Sequence, residues 1–150
     1  MNDCIFCKIT NGEIESSKFW ENEGFIAILD LFPNTPGASI VISKKHYESD
    51  YLNLDDPILQ DLIVAVKSAA EKLKKGLKVD RVAATIEGTG VNHLHMRLFP
   101  LHSNPDKKMG EAKETVFNEQ YQGYITTHVG PMASREDLDR LVEVIRGSLL

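Results

Sequence analysis

Apolar positions along this chain change their spacing from one stretch to the next, and those changes mark out its elements. Phe19-Trp20, the stretch 24–30 carrying Phe25-Ile26-Ala27-Ile28-Leu29, and the stretch 38–43 are short, rich in aromatic and β-branched residues and bounded by turn formers, so they predict strands. Asn22-Glu23-Gly24 predicts a hairpin turn between the first two, and Pro33-Asn34-Thr35-Pro36-Gly37 separates the second from the third. Ile58, Leu59, Leu62, Ile63, Val66, Ala69, Ala70 and Leu73 then recur at helical spacing, which predicts one long amphipathic helix. Asp55 or Asp56 is placed to cap it, Pro57 suits its first turn, and Gly76 is placed to end it.

Stretches 82–87 and 91–99 predict two more strands around Gly88-Thr89-Gly90. Residues 101–122 are polar and predict no regular element, whereas 124–129 predicts a short strand. Ser134 caps a final helix whose Leu138, Leu141, Val142 and Ile145 form one apolar stripe. The expected fold class is α+β, a single domain over 1–150 with a meandering sheet of about five strands.

Composition narrows the partners. Hydrophobic residues make up 42% and charged residues 26% of the 150, as in ordinary soluble globular proteins. A net charge of −5 offers no general attraction for nucleic acid or anionic lipid, so any phosphate site must be local. No apolar run approaches the roughly 20 residues of a membrane span. Met1-Asn2-Asp3-Cys4 lacks the features of a secretory signal, and two neighbouring cysteines do not make a disulfide framework. The expectation is a cytoplasmic protein.

Candidate chemistry concentrates in two places. His93, His95 and Arg97 alternate with Leu94, Met96 and Leu98, so an extended chain directs the three polar side chains to one face and the apolar ones to the other. Imidazole nitrogens serve as nucleophile, base or metal ligand, and a guanidinium holds oxyanions. A solvated antiparallel face would carry polar residues too. The second place is Cys4-Ile5-Phe6-Cys7, whose spacing suits two thiolates on a tetrahedral zinc, thiol–disulfide chemistry, or neither. A redox pair belongs between a strand and a helix of a βαβ unit, and this one opens the chain. His46 and His93 are available as further zinc ligands, and four protein ligands would make such a site structural.

Together these stretches resemble the histidine triad (HIT) family of nucleotide hydrolases and transferases. The resemblance rests on Cys4-Ile5-Phe6-Cys7-Lys8-Ile9 with Gly12-Glu13-Ile14, Ile28-Leu29-Asp30 with Pro33 and Pro36-Gly37, Ile40-Val41-Ile42-Ser43-Lys44-Lys45-His46, and Val91-Asn92-His93-Leu94-His95 running to Pro100. It spans 4–100, leaving 101–150 as a C-terminal extension. It implies a five-stranded antiparallel sheet with one long helix, a homodimer, and a purine nucleotide held near the triad strand. It matches Cys4, Cys7, His46 and His93 to the ligands of a structural Zn2+, and His95 to the nucleophile that takes the α-phosphorus. Asp30 matches the acceptor of the ribose hydroxyls, and Ile5, Phe6, Ile28 and Leu31 match the apolar positions around the base.

The chain departs from the pattern at Arg97, which stands where the third histidine is usual. An arginine donates and neutralises but gives up no proton, so Arg97 is expected to clamp phosphate. The loop before the triad is short, Ile86-Glu87-Gly88-Thr89-Gly90-Val91-Asn92, and Thr89 is its candidate phosphate donor. His102 and His128 are further histidines, read first as surface residues and otherwise as groups available to a leaving group. The expected function is hydrolysis or nucleotidyl transfer on a purine nucleotide derivative, a dinucleoside polyphosphate or nucleoside phosphoramidate. The alternative is a nucleotide-binding protein with little turnover.

Overall fold

The computed structural model describes residues 3–102 and 132–147. The predicted strand at 124–129, His128 and nearly all of the polar 101–122 stretch lie outside the described residues. Helix α1 spans Ile5–Thr10, followed by β1 (Lys18–Glu21), β2 (Phe25–Leu29) and β3 (Ser39–Ser43). A 3-10 turn at Tyr51–Asn53 leads into α2 (Asp56–Leu77), and β4 (Val82–Thr85), β5 (His95–Pro100) and α3 (Arg135–Arg146) complete the order. The five strands form one antiparallel sheet in the order β1-β2-β3-β5-β4. This is the expected α+β architecture.

Turn chemistry sets the first hairpin. Asn22 Oδ1 accepts from the N–H groups of Gly24 at 3.0 Å and Phe25 at 2.7 Å, closing the β1–β2 connection. Every residue of β2 is buried, because both sheet faces are covered there. Phe25, Ala27 and Leu29 belong to the same core as Leu62, Ala65, Ala69 and Leu73 of α2 and Val142 and Ile145 of α3. Ile26 and Ile28 point the other way and join Phe6 of α1 and Ile42 of β3 in a smaller cluster. The sheet therefore has a main core on the α2 side and a second apolar layer under α1.

Three local expectations are corrected. Gly76 does not end α2; the helix continues to Leu77, and Lys78 supplies the left-handed cap at φ 53°. Gly76 serves packing instead, since a Cβ there would lie 2.3 Å from the Ile145 Cα of α3. Strand β5 begins at His95, not at 91, because residues 91–94 bend: the His93 N–H turns back to the Val91 carbonyl and the Leu94 N–H reaches Tyr47. Finally, α1 stands where the cysteine pair alone was noted. Ser134 caps α3 as expected, accepting from the Asp137 N–H at 3.1 Å.

Candidate functional site

The face of the sheet under α1 carries the chemistry. In the β3–β5 ladder His95 lies opposite Ile42 and Arg97 opposite Ile40, and directly paired residues share a face. Ile40 and Ile42 belong to the second apolar layer, so His95 and Arg97 look toward α1, while Leu94, Met96 and Leu98 enter the main core. The alternation expected for 95–98 holds. His93 reaches the same region from the bend before the strand; its ring and that of His95 both meet Phe6 edge-on, at 5.8 and 5.1 Å between centroids.

Cys4, Cys7, His46 and His93 converge, with their ligand atoms all within 4.8 Å of one another. Cys4 Sγ lies 3.3 Å and Cys7 Sγ 3.5 Å from His93 Nδ1, and Cys7 Sγ lies 3.3 Å from His46 Nδ1. Bond lengths of about 2.3 Å to sulfur and 2.0–2.1 Å to nitrogen put neighbouring ligands roughly 3.5 Å apart in a tetrahedron, so the four atoms fit a metal ion. His93 Nε2 donates to the Ser43 carbonyl at 2.7 Å, which fixes the tautomer that turns a bare Nδ1 toward the thiols. That carbonyl is a supporting group that no residue pattern signalled. Burial pushes the Cys7 thiol up, and the neighbouring Cys4 adds to the shift. The pair sits at the cap and first turn of α1.

His95 is buried, and its Nδ1 donates to the His93 carbonyl at 2.6 Å. The remaining nitrogen, Nε2, then carries the lone pair. Burial lowers the proton affinity of the His95 ring; the bond to the His93 carbonyl and Glu87 oppose that effect, and Arg97 reinforces it. The ring is thus neutral near pH 7, the form in which an imidazole attacks. His93 is shifted down in the same way, chiefly by burial.

Asp30 follows β2 immediately, held there by its N–H to the Ala38 carbonyl at 2.9 Å, and is buried. Its Oδ1 accepts from the Phe32 N–H at 2.9 Å and its Oδ2 from Arg97 Nη2 at 3.1 Å. The Arg97 guanidinium also lies over the Phe99 ring, 5.1 Å from its centroid. Sequence reasoning singled out both ends of this ion pair without joining them.

The remaining candidates are distributed as follows. Phe6 and Ile28 are buried in the second layer, while Ile5 and Leu31 are exposed, at 47% and 46%. Thr89 is exposed between Gly88 and Gly90, both at positive φ. Ser49 pins this loop, its hydroxyl donating to the Gly88 carbonyl at 2.6 Å and its N–H to Asn92 Oδ1 at 2.9 Å. A Cβ at Gly88 would come within 2.7 Å of the Ser49 carbonyl oxygen, so this position requires glycine on two counts. His102 Nε2 donates to the Pro36 carbonyl at 2.8 Å and is exposed.

Comparison with known proteins agrees with this fold. An uncharacterized HIT-like protein of Methanocaldococcus jannaschii is 36% identical over 122 residues, covering 77% of this chain and 94% of its own length. The adenosine 5'-monophosphoramidase HNT1 of Candida albicans is 36% identical over 111 residues, covering 65% of this chain and 69% of its own. Among solved structures, a hypothetical histidine triad nucleotide-binding protein of Sulfolobus tokodaii superposes with a TM-score of 0.72 at 29% identity, over 97% of this chain and 91% of that one. The model of the HIT domain matches residues 11–104, and this chain belongs to the HIT family.

Proposed function

We propose that this protein is a nucleotide hydrolase or nucleotidyl transferase that cleaves at the α-phosphate of a purine nucleotide derivative. Dinucleoside polyphosphates and nucleoside phosphoramidates are the substrate classes. The observation that carries this reading is the His95–His93 bond, which presents a neutral Nε2 from a buried, fixed ring. Nε2 attacks the α-phosphorus; an N–P bond forms as the bond to the leaving group breaks, and that group departs with the electron pair and takes up a proton. Water or another acceptor then displaces His95, giving up its own proton and releasing the mononucleotide. Asp30 accepts the ribose hydroxyls, Phe6, Ile28, Ile5 and Leu31 border the base, and Thr89 with the backbone of the 88–90 loop faces phosphate. The activity of the Candida relative points to the same substrate class.

Cys4, Cys7, His46 and His93 would hold a zinc ion in this reading, two thiolates and two imidazoles being a donor set that suits it. Bound there, the ion would tie α1 to the sheet, and no step of the reaction runs through it. A homodimer in the cytoplasm completes the proposal. Among the described residues no helix is long and apolar enough to cross a membrane.

The Arg97–Asp30 ion pair favours a second reading, a nucleotide-binding protein with little turnover, because Arg97 is engaged where the family usually carries a histidine. One experiment separates the two. The protein is incubated with adenosine phosphoramidate and with diadenosine polyphosphates, and intact-mass and peptide spectrometry are used to follow His95. A nucleotidyl adduct on His95 that is lost in His95→Ala supports the enzyme. Product formed at an undiminished rate by His95→Ala overturns the mechanism, and binding with neither product nor adduct supports the second reading.

A further inference from the structure

Asp30, just after β2, and Arg97, on β5, are 67 positions apart and meet where both are largely shielded from water: their side chains are 11% and 17% exposed. A carboxylate has about four lone-pair sites, two on each oxygen. The Phe32 N–H takes one on Oδ1 and Arg97 Nη2 takes one on Oδ2. One site is then left on each oxygen, the arrangement that accepts two neighbouring hydroxyl donors. A carboxylate held at one oxygen alone would be free to rotate about its terminal bond, which has a broad torsional well. Held at both, it is fixed. The Phe99 ring beneath the guanidinium restrains the other end of the pair.

We infer that Arg97 is a positioning residue for ribose recognition: it fixes the Asp30 carboxylate with one acceptor site open on each oxygen, so that the site selects nucleotides with an intact vicinal diol. The inference rests on the nucleotide reading above and gives Arg97 a different task from the phosphate clamp expected of it in sequence. Acting at phosphate, Arg97 would influence every nucleotide alike. Acting through Asp30, it sets the preference for a ribose over a deoxyribose, because a missing hydroxyl leaves an acceptor of a buried carboxylate unpaired.

The test measures binding of AMP, 2'-deoxy-AMP and 3'-deoxy-AMP to the wild-type full chain, Arg97→Gln, Arg97→Met, Arg97→Lys, Asp30→Asn and the double variant Arg97→Gln/Asp30→Asn. Arg97→Met keeps the stem over Phe99 and carries the test should Arg97→Gln not fold. Wild type is expected to favour AMP over each deoxy analogue by about tenfold or more. Arg97→Gln and Arg97→Met bring that ratio to within about threefold of unity, Arg97→Lys restores part of it, and the double variant shows no further loss of ratio. With a turnover substrate, the loss in Arg97→Gln falls mainly on KM. A wild-type ratio retained in Arg97→Gln or Arg97→Met overturns the inference, as does a fall in kcat with the ratio intact. A wild type that binds AMP and its deoxy analogues equally overturns it while leaving nucleotide binding standing. A wild type that binds none of them overturns both.

Discussion

The carbonyl of His93 accepts the Nδ1 proton of His95 at 2.6 Å, while the ring of the same His93 faces the two thiols. A candidate metal ligand thus orients the candidate nucleophile through its backbone. The chain that links them is short: the Ser43 carbonyl fixes the His93 ring, and the bend at 91–94 aims the His93 carbonyl back at the start of β5. Structural and chemical duties meet at one residue, and the consequences of disturbing it can be separated experimentally.

Metal removal is the first. The four-residue cluster brings α1 together with the segment after β3 and the bend before β5, so loss of a metal held there would loosen α1. Purified protein is expected to carry one zinc per chain by elemental analysis, and Cys4→Ser to carry little. Chelation is expected to lower the melting temperature by roughly 10 °C, which for a chain of this size corresponds to about 3 kcal/mol. An unchanged melting curve after complete removal of metal would show that the cluster contributes nothing to the fold.

Phe6 provides the second. It is 8% exposed, closes the second apolar layer over Ile26, Ile28 and Ile42, and meets both histidine rings edge-on. Phe6→Ala leaves a cavity there and is expected to cost about 3 kcal/mol in denaturant unfolding. Formation of the His95 adduct should slow in the same variant, since the ring loses the wall that keeps it in place. Loss of stability with an unaltered adduct rate would confine Phe6 to packing.

Much of this was legible in the chain, and the failures share a cause. Strands β2 and β3 were readable because β-branched runs are bounded by Asn22-Glu23-Gly24 and by the 33–37 turn, which leaves few alternatives. Helix α2 was readable from its long apolar stripe. Helix α1 was missed because six residues hold too little periodicity to register, and the cysteine spacing drew the reading toward ligands alone. Glycine is common at helix ends, so Gly76 reads locally as a terminator, but the contact that requires it lies on α3, about 70 residues away and beyond any local rule. The metal-type donors were legible by residue type; the Asp30–Arg97 pairing was not, since strand order β1-β2-β3-β5-β4, rather than local sequence, brings the two together.

Gly76 yields a third prediction. A Cβ at this position would meet the Ile145 Cα at 2.3 Å and the Ile145 and Val144 carbonyl oxygens at 2.9 Å, all backbone atoms that cannot rotate aside. Gly76→Ala must therefore push α3 away from α2, at an expected cost of about 1–3 kcal/mol even though alanine is the better helix former. Gly24, whose Cβ would meet nothing within 4 Å, is the control: Gly24→Ala should change the unfolding midpoint little. Equal effects of the two substitutions would show that α3 is not held close to α2 in solution.

The pH dependence of His95 is the last. Burial holds its ring below the ordinary imidazole value of 6.5, so the neutral nucleophile persists into mildly acid solution. Single-turnover adduct formation should accordingly keep its rate as pH falls through 6.5 and decline only below it. The same shift acts on stability with a definite sign. Below 6.5 the unfolded chain takes up a proton at this histidine and the folded chain does not, so the unfolding free energy falls as the solution is acidified toward the folded value. His95→Gln removes that contribution, and its unfolding free energy should fall less than that of the wild type between about pH 7.5 and 5.5. An acid limb centred above 6.5, together with identical pH slopes for the two proteins, would mean that His95 is not buried as a neutral ring.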